Sequence, residues 1–233
     1  MNQTMNIFRK EFKDYFITPI AYIVISIFLL ITGWFFFSTF FLYSQATLRG
    51  FFALLPFTFA FVIPAITMKL FSEEFSSGSY EILFTLPVTH INIIMGKFLA
   101  ATAFIIAMLI PTLAYPVAIS FIGQLDWGTV VGGYVGAIFL GAGYSAIGIF
   151  SSSLTRNQII AFIIGASICF FLTLVGKMLF FLPENILGTV QYLSTGFHFQ
   201  NISKGIIDCR NIVYFLSLIF IALYATSLVI DKK

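Results

Sequence analysis

The chain has 233 residues, of which 60% are hydrophobic and 9% charged, and its mean hydropathy is +1.03. A water-soluble domain carries about 25% charged residues, so this composition excludes a soluble globular protein and makes the bilayer the solvent. A net charge of +3 with no basic run gives no nucleic-acid partner, and the two widely separated cysteines, Cys169 and Cys209, read as small residues rather than a disulfide or a metal pair.

Residues 4–16 repeat aromatic and aliphatic side chains at steps of three and four: Met5, Phe8, Phe12, Tyr15 and Phe16. Arg9, Lys10, Glu11, Lys13 and Asp14 fill the opposite face, and Lys10 and Asp14 are spaced to pair. This pattern predicts an amphipathic helix lying in the headgroup layer, with its aromatics toward the lipid. The first apolar run begins only after these charges. It is far longer than a signal-peptide core, and no small-residue cleavage site follows, so it reads as a span.

Thr18-Pro19 reads as a helix start, with threonine as N-cap and proline at the first helical position. Spans are predicted over 19–42, 51–71, 94–122, 129–150, 159–182 and 212–230, each long enough to cross a core of about 30 Å. Pro56 and Pro64 kink the second, and Pro111 and Pro116 break the third. Lys97, near the start of the third, is expected to snorkel to the surface. Trp127 is placed as an interfacial anchor. The fourth span carries Gly132-xxx-Gly136 and Gly141-xxx-Ser145, small faces that admit another helix closely.

Two polar segments interrupt the apolar chain. Ser72 to His90 holds three of the nine acidic residues, Glu73, Glu74 and Glu81. Gly78 is placed to end one helix in the left-handed conformation. Residues 79–86 can start a second short helix, which Pro87 ends. Tyr80, Leu83 and Phe84 then share one face. This apolar stripe either lies on the protein's own helix ends or docks into a partner. Glu73 and Glu74 can pair with Arg9, with Lys10 or with that partner. The second segment, 183–211, is too polar to span but has Ile186, Leu187, Val190 and Leu193 at helical spacing, and it reads as half-embedded helices on the outer face. Lysines and arginines divide eight to four in favour of the side bearing both termini, which places the termini and Ser72–His90 in the cytoplasm.

The chemistry of a catalyst is missing. His90 and His198 are isolated and read as hydrogen-bonded structural residues. No phosphate-loop motif is present: Gly96-Lys97 is followed by Phe98, and Gly176-Lys177 by Met178, so neither supplies the hydroxyl that Mg²⁺ needs. No ionisable residue is placed mid-membrane to relay ions or protons.

Three stretches resemble the permease subunit of ABC-2-type ABC transporters, in the branch of the gliding-motility-associated permeases, with nitrous-oxide-reductase maturation permeases as relatives. RKEFKDYFITPIAYIV, residues 9–24, is similar to that family's lead into its first span. EEFSSGSYEILFTLPVTHINIIMGKFLA, residues 73–100, is similar to the family's run E-E-x-x-x-G-S/T-x-E-x-L-x-x-x-P-V/I before G-K. STGFHFQNISKGIID, residues 194–208, resembles S-P-x-x-H-F-x-x-x-x-x-G, with Thr195 where proline is usual.

The resemblance implies an all-α integral membrane protein: one transmembrane domain over residues 1–233 with six spans, an N-terminal interface helix (Phe8, Arg9, Lys10, Phe12, Lys13), and outer half-helices carrying His198, Phe199 and Gly205. It implies a coupling helix over 79–86, with Glu73, Glu74, Gly78, Glu81 and Pro87 as the matched positions beside the stripe of Tyr80, Leu83 and Phe84. It further implies a dimer of identical or homologous permeases in a bacterial inner membrane. Each would dock a separate ATPase subunit that binds ATP and Mg, so the chain itself holds no cofactor and is no enzyme. Two functions follow as alternatives: ATP-driven export of a hydrophobic or lipid-linked substrate, or ATP-driven signalling or assembly acting on an extracytoplasmic partner.

Overall fold

In lipid, an uncharged run must satisfy its own backbone hydrogen bonds, which selects helices or closed barrels. The computed structural model describes residues 3–43, 47–80, 89–121, 123–178, 191–206 and 208–232, and among these residues it is almost wholly helical with no strand. The helices are α1 (Gln3–Ile17), α2 (Pro19–Tyr43), α3 (Arg49–Thr67), α4 (Lys69–Ser77), α5 (His90–Leu109), α6 (Ala114–Ser120), α7 (Trp127–Leu154), α8 (Gln158–Met178), α9 (Thr195–Ser203) and α10 (Cys209–Ile230). A 3₁₀ turn, Ile110–Leu113, joins α5 to α6 where Pro111 interrupts the ladder.

Six stretches of the described residues are long and apolar enough to cross a membrane: Pro19–Ser38, Arg49–Ser77, His90–Ser120, Trp127–Leu154, Gln158–Lys177 and Cys209–Ile230. The chain is an all-α integral membrane protein. The even number of crossings returns α10 to the end of the bundle that holds α1 and α4.

α7 is the most buried of the six and forms the axis, packed by α3, α5, α8, α9 and α10. Its small residues let those neighbours approach. A Cβ on Gly132 would sit 2.6 Å from the Ile202 carbonyl oxygen of α9, and one on Gly141 would sit 2.8 Å from Ile105 Cγ2 of α5. The small faces predicted to admit another helix are therefore filled internally.

The helix start read at Thr18-Pro19 is half right. Pro19 does open α2, but the Thr18 hydroxyl donates backward to the carbonyls of Asp14 and Tyr15. It seals the end of α1 instead of capping α2. The second crossing runs on past Phe71 to Ser77, with a step at Met68, whose N–H donates to the Pro64 carbonyl.

A serine on α7 spans that step. Ser152 Oγ donates to the Met68 carbonyl (2.6 Å) and accepts from the N–H groups of Phe71 (3.0 Å) and Ser72 (3.1 Å). These are groups that a helix interruption leaves without helical partners. One turn away, α7 touches α3 through Gly148, where a Cβ would overlap Thr67 Oγ1.

Gly148→Ala should therefore lower the thermal stability of the detergent-solubilised protein by the equivalent of about 1–3 kcal/mol. Adding Thr67→Ala should recover part of the loss, since it removes the closest atom. An unshifted unfolding temperature in Gly148→Ala would refute the contact.

Candidate functional site

The polar centre of the molecule forms where α1, α4 and α5 meet. α1 lays its aromatic face on α5: Tyr15 sits 4.9 Å from Phe104, ring centre to ring centre, and Phe8 stacks on Phe12 at 5.8 Å. Asn92 fastens the other end of α1, accepting from the Thr4 hydroxyl (3.0 Å) and donating to the Gln3 side-chain oxygen (2.9 Å). The aromatic face expected to lie toward lipid thus covers α5, while Arg9, Lys10 and Lys13 stay exposed.

Lys97 points from α5 into this junction and is 1% exposed. Its ammonium is 2.9 Å from Glu11 Oε1 of α1 and 2.6 Å from Glu74 Oε1 of α4, and it lies over the Phe71 ring at 5.2 Å. The expected snorkelling is overturned: the lysine turns inward because two carboxylates meet it there. The same geometry answers the pairing of Glu74, whose partner is Lys97 and not Arg9 or Lys10. It also replaces the expected Lys10–Asp14 pair, since Glu11 is the α1 residue that enters the ion pairs found among the described residues. Glu73, one position away, faces outward and is exposed.

A cleft of about 460 Å³ opens beside the triad, between Lys10 and Asp14 on α1 and Lys69 and Glu73 near α4. Lys69 rides over the Tyr15 ring at 5.1 Å. Burial, and then the Glu11 carboxylate, push the Tyr15 phenol upward. Burial, followed by Glu74 and Asp231, pushes Tyr80 up to about 12. Both phenols stay neutral, and the cleft, which Tyr15 lines, draws its charge from lysines and carboxylates.

Gly78 ends α4 with φ +73, the left-handed conformation that a side chain resists. Ser79 and Tyr80 are helical again. Tyr80 is not on an exposed stripe: it is buried, edge-on to Phe75 at 4.6 Å and near Phe71 at 6.5 Å. Of the two uses open to that stripe, Tyr80 takes the first and covers the protein's own helix end. Glu81, Leu83, Phe84 and Pro87 lie outside the described residues, as do 183–190 of the outer segment.

At the far end of the bundle, α9 is anchored by three polar groups. Ser194 caps it, accepting from the Phe197 N–H at 3.3 Å. The Tyr144 hydroxyl on α7 meets Thr173 Oγ1 (2.5 Å) and Thr195 Oγ1 (2.8 Å). Thr195 stands where proline is usual in the resembling motif, and its hydroxyl makes a bond that proline lacks. His198 is buried and stacked on Tyr214 at 4.0 Å. Its Nδ1 is 2.7 Å from Asn211 Oδ1, and its Nε2 is 3.0 Å from the Tyr192 carbonyl. Phe199 is fully buried against α7. Gly205 has φ +85, and a Cβ there would come within 3.3 Å of the Gly128 backbone.

With this geometry in view, the chain matches the family described as ABC-2 family transporter protein over residues 5–230. It belongs to that family. It is a transmembrane permease subunit of an ABC system; in that family the membrane subunit has no ATPase domain of its own and partners with an ABC ATPase subunit in a dimeric arrangement. No curated protein matches the chain.

Sequence reading placed Glu74 in the coupling region but missed the residues that hold it. Lys97 was visible as the lone cation of an apolar stretch, and Glu11 as its complement in sign. Ser152 lay within the run Ser151–Ser153 at the end of the fourth span.

Lys97→Met leaves two carboxylates facing each other out of water. It should destabilise the protein by about 3–5 kcal/mol, and Glu11→Gln, which leaves the Glu74 pair intact, by less, about 1–3 kcal/mol. Thermal unfolding of the three proteins checks the order. Wild-type stability in Lys97→Met would remove the triad from the account.

Proposed function

We propose that the α1–α4–α5 junction receives the stroke of the ATPase subunit and passes it to the spans as one body. The observation that carries this reading is the Glu11–Lys97–Glu74 triad. It ties the two helices flanking residues 81–88, α4 and α5, to the N-terminal helix α1. A push on any one of the three must move the others or expose a buried charge, and exposure is the costlier path.

In this reading residues 79–86 form the coupling helix. Glu73, Glu74, Gly78, Glu81 and Pro87 shape it, and Leu83 and Phe84 dock into the ATPase, which alone binds ATP and Mg. The junction faces the cytoplasm, both termini lie there, and the membrane is the bacterial inner membrane. Phe8 and Phe12 seat the interface helix, while Arg9, Lys10 and Lys13 meet headgroups or the ATPase. Motion of the dimer then exports a hydrophobic or lipid-linked substrate. The gliding-type and nitrous-oxide-reductase-type permeases are the branch proposed for the chain.

A second reading is favoured by the anchoring of α9. The contacts of Tyr144 with Thr173 and Thr195, and of His198 with Asn211, join the outer segment to α7, α8 and α10. Movement of the spans would therefore reach His198, Phe199 and Gly205 and could act on an extracytoplasmic partner without moving a solute. Capture of such a partner through α9, with no substrate between protomers, would select this reading; substrate retained between protomers would select export.

Leu83→Asp should weaken co-purification of the ATPase at least tenfold. Lys97→Met in a stabilised background should keep the ATPase bound yet lose its coupling to transport. A Leu83→Asp protein that binds and transports normally would sink the coupling assignment.

Orientation has its own test in the two natural thiols. Cys209 is exposed at the end opposite α4, and Cys169 is buried. An impermeant maleimide applied to the outside of spheroplasts should label Cys209 and leave Cys169 untouched. Labelling only after the cells are broken would invert the topology.

A further inference from the structure

At the end of the bundle opposite α1 and α4, a cleft of about 280 Å³ lies between the first turns of α3, the last turn of α8, and α9 with the residues that flank it. Its charged lining has one sign. Lys177 and Lys204 contribute two ammonium groups, Gln191, Gln200 and Asn201 contribute side-chain amides, and no acidic residue lines it among the described residues. Neither lysine forms an ion pair with a described carboxylate. Lys177 is nevertheless held, with its ammonium 4.1 Å from the ring centre of Phe57 on the cleft wall. Such a contact orients a cation without neutralising it.

The start of α9 adds to the same sign. Ser194 caps the Phe197 N–H, while the N–H of Gly196, also on the lining, belongs to the first turn and has no acceptor within the helix. Ala53, Pro56 and Phe57 give the cleft an apolar side facing α3.

We infer that this cleft binds the phosphate, or an equivalent oxyanion, of an amphiphile at the membrane surface. Two ammonium groups without an ion pair among the described residues, with side-chain amides beside them, offer charge-assisted hydrogen bonds to one such group. The volume suits a headgroup and not a whole lipid, so the Phe57 side leads toward the acyl chains. The inference rests on the proposed orientation for placing the site in the outer leaflet, and it narrows the substrate or regulator of that reading to an anionic amphiphile.

Binding can be measured on the full chain without the ATPase, so failure here and failure of the coupling assignment are separable. The purified protein is titrated with phosphatidylglycerol and with phosphatidylcholine, and bound lipid is counted by native mass spectrometry. Phosphatidylglycerol should bind at least tenfold more tightly than phosphatidylcholine. Lys177→Gln with Lys204→Gln should abolish that preference, and Lys177→Arg with Lys204→Arg should keep it. Both variants should retain the wild-type elution profile, since the lysines are exposed. Displacement of phosphatidylglycerol by millimolar inorganic phosphate would support the anion site with a soluble source; persistence would support it with a lipid source. Equal binding of the two lipids by the wild type, or an undiminished preference in the glutamine variant, would overturn it.

Discussion

A charge taken out of water must be met by an opposite charge, and the architecture at the α1–α4–α5 end follows from that requirement. Lys97 is effectively solvent-free. The penalty for such a group is several kcal/mol and is offset only by close, well-formed partners. Two carboxylates supply them, one from each neighbouring helix. The arrangement adds less net stability than an apolar replacement of the same shape could. What it imposes is position: α1 can neither slide along α5 nor lift from α4 without pulling a carboxylate away from a buried ammonium.

The remaining polar contacts extend this rigidity along the axis. Ser152 on α7 holds both sides of the step between α3 and α4, so the step is bridged and not loose. Further back along the same helix, Tyr144 joins α8 and α9. α7 is thus held by hydroxyl contacts at Tyr144 and Ser152, and Gly148 between them packs against Thr67 of α3. A displacement at α4 therefore reaches α7 through three hydrogen bonds to one side chain.

Much of this was legible in the chain. The six apolar runs, the amphipathic N-terminal segment and the helix end at Gly78 depend on local composition and spacing, which sequence displays directly. The lysine triad was not legible, because its members are separated by 86 and 23 residues and periodicity carries no information across such gaps. Lys97 looked like a snorkelling residue because the reading treated its helix alone with lipid and water. The use that Tyr80 makes of its ring was open for a related reason: its receptors, Phe71 and Phe75, sit on the preceding helix across the turn at Gly78. Thr195 departs from the motif it otherwise resembles, and its hydroxyl finds Tyr144 51 residues away. In each case a side chain's partner lies on another element, and only the packing brings the two together.

The triad also bears on how the chain is made. Synthesis runs from the N-terminus, so Glu11 and Glu74 both leave the ribosome before Lys97 does. The two anions are on the shorter, amphipathic elements at one edge of the bundle, where they can wait in contact with water. The cation arrives last, on the third span, and its counter-charges already exist when that span is handed to the bilayer. Reversing the signs would give the same ion pairs in the finished protein, but the third span, the last of these three elements to be made, would then bring a carboxylate in place of a lysine. A carboxylate has a short side chain, whereas the long methylene stem of lysine can keep its charge at the surface until α1 folds back to cover it.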